Sequence, residues 1–140
     1  MLAAGDIEDH ATLLCSLLLG LGLDAFVAIG TRIDSAGIES DHAWVVAREQ
    51  TTPAATSTAE YQAVFWEPLS GLRGTPSEVA PSGHRYARIH CLFNDVRYFA
   101  NHRLDDRVES AGWDVMDVAS WKMVRHSRIF GCRIVCGVSS

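Results

Sequence analysis

The sequence predicts an α+β domain, in which a buried N-terminal helix packs on an antiparallel sheet. Its 140 residues suffice for one domain with its own core, and 48% hydrophobic with 21% charged residues is ordinary for a globular protein. One long apolar helical segment lies near the N-terminus, and several short apolar segments joined by polar turns follow it. A helix followed by consecutive strands with short connections is typical of the α+β class.

The helix is predicted from about Asp9 to Leu21. One face has the i, i+3, i+4, i+7 spacing of apolar residues, and a second face is also apolar. The first face carries Ala11, Leu14, Cys15 and Leu18, and the second carries Leu13, Leu17 and Leu21. A helix that is apolar on most sides is expected to be buried. We expect Asp6 or Asp9 to cap its start, and Gly20 and Gly22 to end it.

Four strands are predicted from short runs of apolar and β-branched residues. They are Ala25–Gly30, His42–Ala47, Tyr61–Trp66 and Tyr86–Phe93. Proline and glycine predict loops at residues 49–60 and 68–83. Residues 94–120 are mixed, with Trp113 and Trp121 as anchors. Residues 1–124 are predicted to form the domain, and residues 125–140 a C-terminal extension with a final strand at its end.

Charge and hydropathy exclude two classes of partner. The 17 acidic and 12 basic residues give a net charge of −5, which argues against nucleic acid and anionic membranes. The longest apolar stretch, Ala11 to Leu23, is shorter than the roughly 20 residues that a membrane span needs. The acidic residues before it differ from the basic start of an export signal. The chain is therefore predicted to be cytoplasmic and to make no membrane contact.

The cysteines are expected to be free, packed thiols, as in most cytosolic proteins. They are Cys15, Cys91, Cys132 and Cys136. Cys132 and Cys136 lie near His126 and could form half of a zinc site, but a complete site needs four ligands. The sequence therefore predicts no metal and no cofactor.

Three segments occur in an order typical of thiol enzymes. They are GDIEDHATLLCSLLLGLGLDAFVAIGT at 5–31, DHAWVV at 41–46 and FWEPLSG at 65–71. Their order and spacing resemble the transglutaminase-like (papain-type) cysteine enzymes. In that family a cysteine at a helix N-terminus is activated by the helix dipole, a strand histidine accepts its proton, and a carboxylate orients the imidazole.

The resemblance places Ile7 at the nucleophile position, His42 at the histidine and Glu67 at the orienting carboxylate. Isoleucine offers neither a nucleophile nor a proton, so the resemblance implies a pseudoenzyme with a degenerate triad. Cys15 lies eight residues further along the helix, about 12 Å at ~1.5 Å per residue, and within its apolar face. The alternative is an active cysteine peptidase or acyl transferase that uses a non-aligned cysteine.

The variant motifs, from Gly5 to Met123, resemble the inactive centrosomal and ciliary group of transglutaminase-like domains, closest to the seventy-six-kilodalton centrosomal protein family. The resemblance implies one domain of a larger protein, located at the centrosome, centriole or cilium base. It implies a role in the control of centriole duplication or in ciliary assembly, through peptide or protein binding. Tubulin tails are one candidate partner. Because these tails are acidic, they would need a basic patch, for which the candidates are Arg73, Arg85, Arg88 and Arg97.

The candidate residues for a peptide-binding groove are His10, His42, Trp44, Trp66 and Glu67. Each also has a simpler interpretation, since Trp44 and Trp66 could be core aromatics and His10 a surface partner of the helix cap. His42 could be a packed histidine beside Trp44, and Glu67 a solvated carboxylate at a strand end. A structural domain with an empty groove is the third functional hypothesis, beside the binding module and the active thiol enzyme.

Overall fold

A computed structural model describes residues 4–50, 61–76 and 83–124. These residues form one α-helix, α1 (Ala4–Gly20), one 3-10 helix, η1 (Val108–Ser110), and a sheet of seven strands. The strands are β1 (Asp24–Ile33), β2 (Glu39–Gln50), β3 (Tyr61–Trp66), β4 (Arg73–Gly74), β5 (Arg85–Phe93), β6 (Tyr98–Asn101) and β7 (Trp121–Val124). Their order across the sheet is β4-β3-β2-β1-β5-β6-β7, and every pair is antiparallel. The prediction of a helix packed on an antiparallel sheet is confirmed.

Helix α1 lies on one face of the sheet and contacts it through one side of the helix. Its buried residues pack on apolar side chains of β1 and β2. This cluster, called the helix-side cluster below, contains Ala11, Cys15, Leu18, Ala25, Val27, Ala43 and Val45. On the outer face of α1, Leu13, Leu17 and Leu21 are 61%, 59% and 77% exposed. The expectation of a helix buried on most sides is therefore wrong, because a helix lying on a sheet buries only the side chains that point toward the strands.

The helix ends confirm one prediction and correct another. The described part of the helix begins at Ala4, so Asp6 and Asp9 lie inside the helix and not at its cap. Their negative charge near the N-terminus is still favourable to the helix dipole. At the other end Gly22 has φ of +88°, and the N–H groups of Gly22 and Leu23 donate to the carbonyls of Leu19 and Leu18 at 3.0 and 3.1 Å. This pattern is a Schellman motif, and it places glycine at the helix end as predicted.

The other face of the sheet carries an aromatic core, called the aromatic cluster below. Its members come from most strands and from the segment between β6 and β7, and they include Trp44, Phe65, Phe99, Val108, Val115 and Trp121. Trp113 packs against this cluster, and the indole N–H of Trp121 donates to the carbonyl of Gly112 at 2.9 Å. Both tryptophans therefore act as the anchors that the sequence predicted.

The four predicted strands are all present, and three of them are longer than predicted. Sequence reasoning missed β4 inside a predicted loop, β6 inside the mixed segment and β7 directly after that segment. These strands have only two or four residues, too few to produce a periodic pattern. The predicted final strand in residues 128–140 and most of the predicted loop at 49–60 lie outside the described residues. Within the described residues, no helix is long and apolar enough to cross a membrane.

Gly30 allows β1 and β5 to approach closely, and its replacement tests that contact. A Cβ atom at Gly30 would lie 1.9 Å from the carbonyl oxygen of Arg88, where the pairing of the two strands shifts in register. Gly30→Ala is expected to reduce the free energy of unfolding by about 1–3 kcal/mol or more, as overpacking does. Urea denaturation measures the change. The control is Gly20→Ala, because a Cβ at Gly20 meets nothing within 4 Å. Equal stability of Gly30→Ala and the wild type would contradict the close approach.

Candidate functional site: a buried carboxylate between two histidines

His42 lies on the face of β2 that points away from α1. Side chains alternate along a strand, and Ala43 and Val45 pack in the helix-side cluster. His42 therefore shares the opposite face with Trp44. The two rings are stacked, with centroids 5.8 Å apart and planes 19° apart. His42 thus extends the aromatic cluster toward the N-terminal end of β2.

Glu67 directly follows β3, and a tight turn fixes its backbone. Its N–H donates to the carbonyl of Leu72 at 2.8 Å, and its carbonyl accepts from the N–H of Gly71 at 2.8 Å. Gly71 has φ of +71°, a conformation that glycine adopts without strain. The turn directs the carboxylate to His42, whose Nε2 lies 3.0 Å from Oε2 and 3.2 Å from Oε1 of Glu67.

Two further side chains complete the site, and sequence reasoning missed both. His84, just before β5, pairs through Nε2 with Oε1 of Glu67. Tyr86, two residues later and on the same face, donates its hydroxyl to Glu67. The rings of His42 and His84 are 5.0 Å apart, and those of His84 and Tyr86 5.2 Å apart. The H-x-Y spacing at the start of a predicted strand was the signal that could have found them.

The electrostatics of the site favour a charged carboxylate. Burial by itself would raise the pKa of Glu67, but hydrogen bonds and positive charge from His42 and His84 outweigh burial and lower the pKa to about 2. Burial, followed by the negative charge of Glu67, raises the pKa of Tyr86, so its hydroxyl stays protonated and can donate. Glu67 is therefore a buried anion at neutral pH, held by three donors.

A cavity of about 120 Å³ adjoins this site. It is lined by Arg32, His42, Glu67, Pro68, Leu69, Ser70 and His84. Nε of Arg32 and Nδ1 of His42 are buried and have no hydrogen-bond partner among the described residues. Leaving such a group unsatisfied costs about 1–3 kcal/mol, so a ligand that satisfied them would gain affinity.

The structure brings together only part of the predicted constellation. His42 and Glu67 are in contact, but Ile7 is half-buried on α1 and packs against the helix-side cluster. Since His42 points to the other face, the sheet separates Ile7 from His42. His10 is exposed on α1. The remaining groove candidates also diverge, because Trp44 is fully buried in the aromatic cluster and Trp66 packs in the helix-side cluster.

Neither described cysteine has the surroundings of a nucleophile. Cys15 is 2% exposed. Burial, followed by the charge of Asp95, raises the pKa of its thiol to about 12. Cys91 is buried and disulfide-bonded, so the expectation of a free thiol is wrong for this residue. Cys132, Cys136 and the zinc half-site that they could form with His126 lie outside the described residues.

The four arginines that were suggested as a basic patch for acidic peptides are not all free to bind such a ligand. Arg88 is paired with Glu39 at 3.2 Å and with Asp106 at 2.5 Å. Arg73 lies over the ring of Trp66, 5.5 Å from its centroid. Arg85 and Arg97 are exposed on β5 and on the turn after it. The arginine that adjoins the buried site is Arg32, which the sequence analysis did not select.

The described residues thus form an α+β domain, with one α-helix on an antiparallel sheet and with a histidine and a carboxylate paired near the ends of adjacent strands. The model of the CEP76 peptidase-like domain family matches residues 1–124, and the chain belongs to this family. The predicted relationship to the seventy-six-kilodalton centrosomal protein family is confirmed.

The relatives include centrosomal proteins from several vertebrates. Centrosomal protein of 76 kDa from Mus musculus is 36% identical over 135 residues, which cover 89% of this chain and 18% of the relative. The Xenopus tropicalis protein of the same name is 35% identical over 146 residues, 97% of this chain and 20% of the relative. Human Protein CC2D2B is 28% identical over 134 residues, 95% of this chain and 8% of the relative. The chain thus spans about a fifth of the length of the centrosomal relatives. No solved structure matches, so the transglutaminase-like core stays a prediction.

Replacing Ile7 with cysteine tests how the two faces are arranged. Ile7→Cys supplies the missing thiol, but the sheet separates it from His42, so the imidazole should not activate it. We expect iodoacetamide to alkylate the new thiol at the same rate, within about twofold, in Ile7→Cys and in Ile7→Cys/His42→Gln. Mass spectrometry of the digested protein measures the rate at position 7. If replacing His42 lowered the alkylation rate at position 7 tenfold or more, residue 7 and His42 would lie on the same face of the sheet.

Proposed function

We propose that this chain is a catalytically inactive peptidase-like module of a centrosomal protein, and that it acts by binding a protein or peptide. The observation that carries the proposal is that Cys15, the free thiol among the described residues, packs in the helix-side cluster, on the face of the sheet opposite to His42. A base must lie within hydrogen-bond reach of the nucleophile that it activates. The site retains a base and its orienting carboxylate, but position 7 is isoleucine and lies across the sheet.

The cavity beside Glu67 supports a binding role for the same face. Its volume of about 120 Å³ fits one small polar group, not a peptide backbone. Arg32 and Ser70 line it, and Nε of Arg32 lacks a partner among the described residues. Guanidinium pairs well with carboxylates because its N–H groups match the two carboxylate oxygens. The proposed ligand is therefore an acidic peptide that inserts one carboxylate, which pairs with Arg32 while His42 and His84 compensate the charge of Glu67 in the same cavity.

The position of Arg32 beside the cavity explains how a negatively charged chain could bind an acidic ligand. The chain carries a net charge of −5, which disfavours acidic ligands at long range. A carboxylate next to Arg32 would interact at short range, where the surrounding protein screens charge less than water does. Tubulin tails, which are acidic, are one candidate ligand. The names of the relatives support a location at the centrosome, and the proposed role is control of centriole duplication or assembly of the cilium from its base.

Replacing Arg32 tests the proposed ligand. Arg32→Gln removes the charge and is expected to weaken the binding of an acidic peptide about tenfold or more, since a hydrogen bond to a charged group contributes about 1.5–3 kcal/mol. Fluorescence anisotropy with labelled acidic tail peptides measures the dissociation constant. Arg97→Gln is the matched control, because it makes the same change at an exposed arginine outside the cavity.

Two outcomes of the binding experiment would contradict this site. Equal affinity of Arg32→Gln and Arg97→Gln would exclude the cavity as the place where the carboxylate binds. Loss of binding in Leu17→Glu, with Arg32→Gln unaffected, would move the binding surface to the exposed leucine face of α1.

Alkylation of the native protein tests inactivity of the described thiols. With a pKa of about 12, Cys15 is almost entirely protonated at neutral pH, so iodoacetamide should leave it unmodified until urea unfolds the chain. Peptide mapping by mass spectrometry gives the modified fraction at each cysteine. Rapid, selective alkylation of one cysteine in the folded protein would instead favour an active thiol peptidase or acyl transferase.

A further inference from the structure

The three charged or titratable groups at the centre of the site also have the composition of a metal-binding set. His42, Glu67 and His84 are 8%, 6% and 3% exposed. One ligand atom from each lies within 4.8 Å of those of the other two. We propose that these three residues bind a divalent transition-metal ion of the zinc type. The proposal uses the side chains of His42, Glu67 and His84 and does not require Arg32, although the ligands adjoin the same cavity.

The distances fit an ion of this size. Zinc lies about 2.0–2.2 Å from nitrogen and oxygen ligands in a tetrahedral arrangement, which places the ligand atoms roughly 3.3–3.5 Å from one another. Nε2 of His42 lies 3.0 and 3.2 Å from the two oxygens of Glu67. An increase of a few tenths of an ångström in the His42–Glu67 distances, and a larger one in the contact between Nε2 of His84 and Oε1 of Glu67, would open space for the ion.

The ligand types select the class of metal. Two imidazole nitrogens and one carboxylate oxygen are ligands that zinc accepts, whereas calcium and magnesium prefer oxygen alone. Three protein ligands leave one coordination position open. The cavity lined by Arg32 and Ser70 adjoins the three ligands, so water or an anion could occupy that fourth position.

The supporting structure is of the kind that holds metal ligands in place. Tyr86 donates its hydroxyl to Glu67, and such outer hydrogen bonds orient a ligating carboxylate. The ring of His42 stacks on Trp44, and the backbone hydrogen bonds of Glu67 with Leu72 and Gly71 fix its turn. Rigid ligands lose little conformational entropy on binding, which favours affinity.

Zinc titration of the full chain tests the proposal. Chelator-treated protein is titrated with zinc in competition with a chromophoric chelator, and we expect one ion per chain. His84→Gln removes a ligand, and Tyr86→Phe removes only the outer hydrogen bond. Affinity should fall roughly 10- to 100-fold in Tyr86→Phe and further in His84→Gln. The control His102→Gln, which alters an exposed histidine outside the site, should bind as the wild type does.

X-ray absorption of the zinc-loaded protein identifies the ligands. The proposal requires nitrogen and oxygen at about 2.0–2.1 Å and no sulfur at about 2.3 Å, which also tests binding by Cys132 and Cys136. Absence of zinc uptake, sulfur ligation, or equal affinity of wild type and His84→Gln would overturn it. If His84→Gln does not fold by circular dichroism, Glu67→Gln, which keeps the size of the side chain, decides in the same way.

Discussion

The alternation of side chains along β2 controls how the rest of the molecule is arranged. Ala43 and Val45 point to α1, while His42 and Trp44 point to the aromatic cluster. Since β2 lies inside the sheet between β1 and β3, it cannot shift by one residue without exchanging its two faces. The apolar packing on both sides thus fixes where the histidine points. The polar site is a consequence of the hydrophobic pattern and not an independent feature.

The aromatic side of the sheet then determines the properties of the carboxylate. Glu67 ends β3 beside this cluster, where burial would neutralise an isolated carboxyl group. Two imidazoles and a phenol hydroxyl instead keep it ionised. Removing one partner from a buried charge costs more than the pair contributes, because the remaining charge has no compensation. The site therefore acts as one unit in the stability of the domain.

The sequence allowed the helix, the four longer strands and the class of fold to be predicted, because each has a hydrophobic period long enough to recognise. The resemblance to thiol enzymes also allowed the pairing of His42 with Glu67 to be anticipated. The position of Ile7 could not be predicted in the same way. The face on which a helix packs depends on tertiary contacts, and a motif gives the order of residues but not the side of the sheet. His84 and Tyr86 were missed because they reach Glu67 from a strand that follows a long connection.

Because the sheet lies between Ile7 and the buried polar residues, the two positions differ in how they tolerate substitution during evolution. A substitution at position 7 alters only the packing under α1, so it leaves the free energy of the buried charges untouched. A substitution of His42, Glu67 or His84 leaves a buried charge or hydrogen-bond donor without its partner. A second substitution nearby would have to compensate for that loss. Position 7 can therefore vary independently, whereas the three polar residues are constrained to vary together.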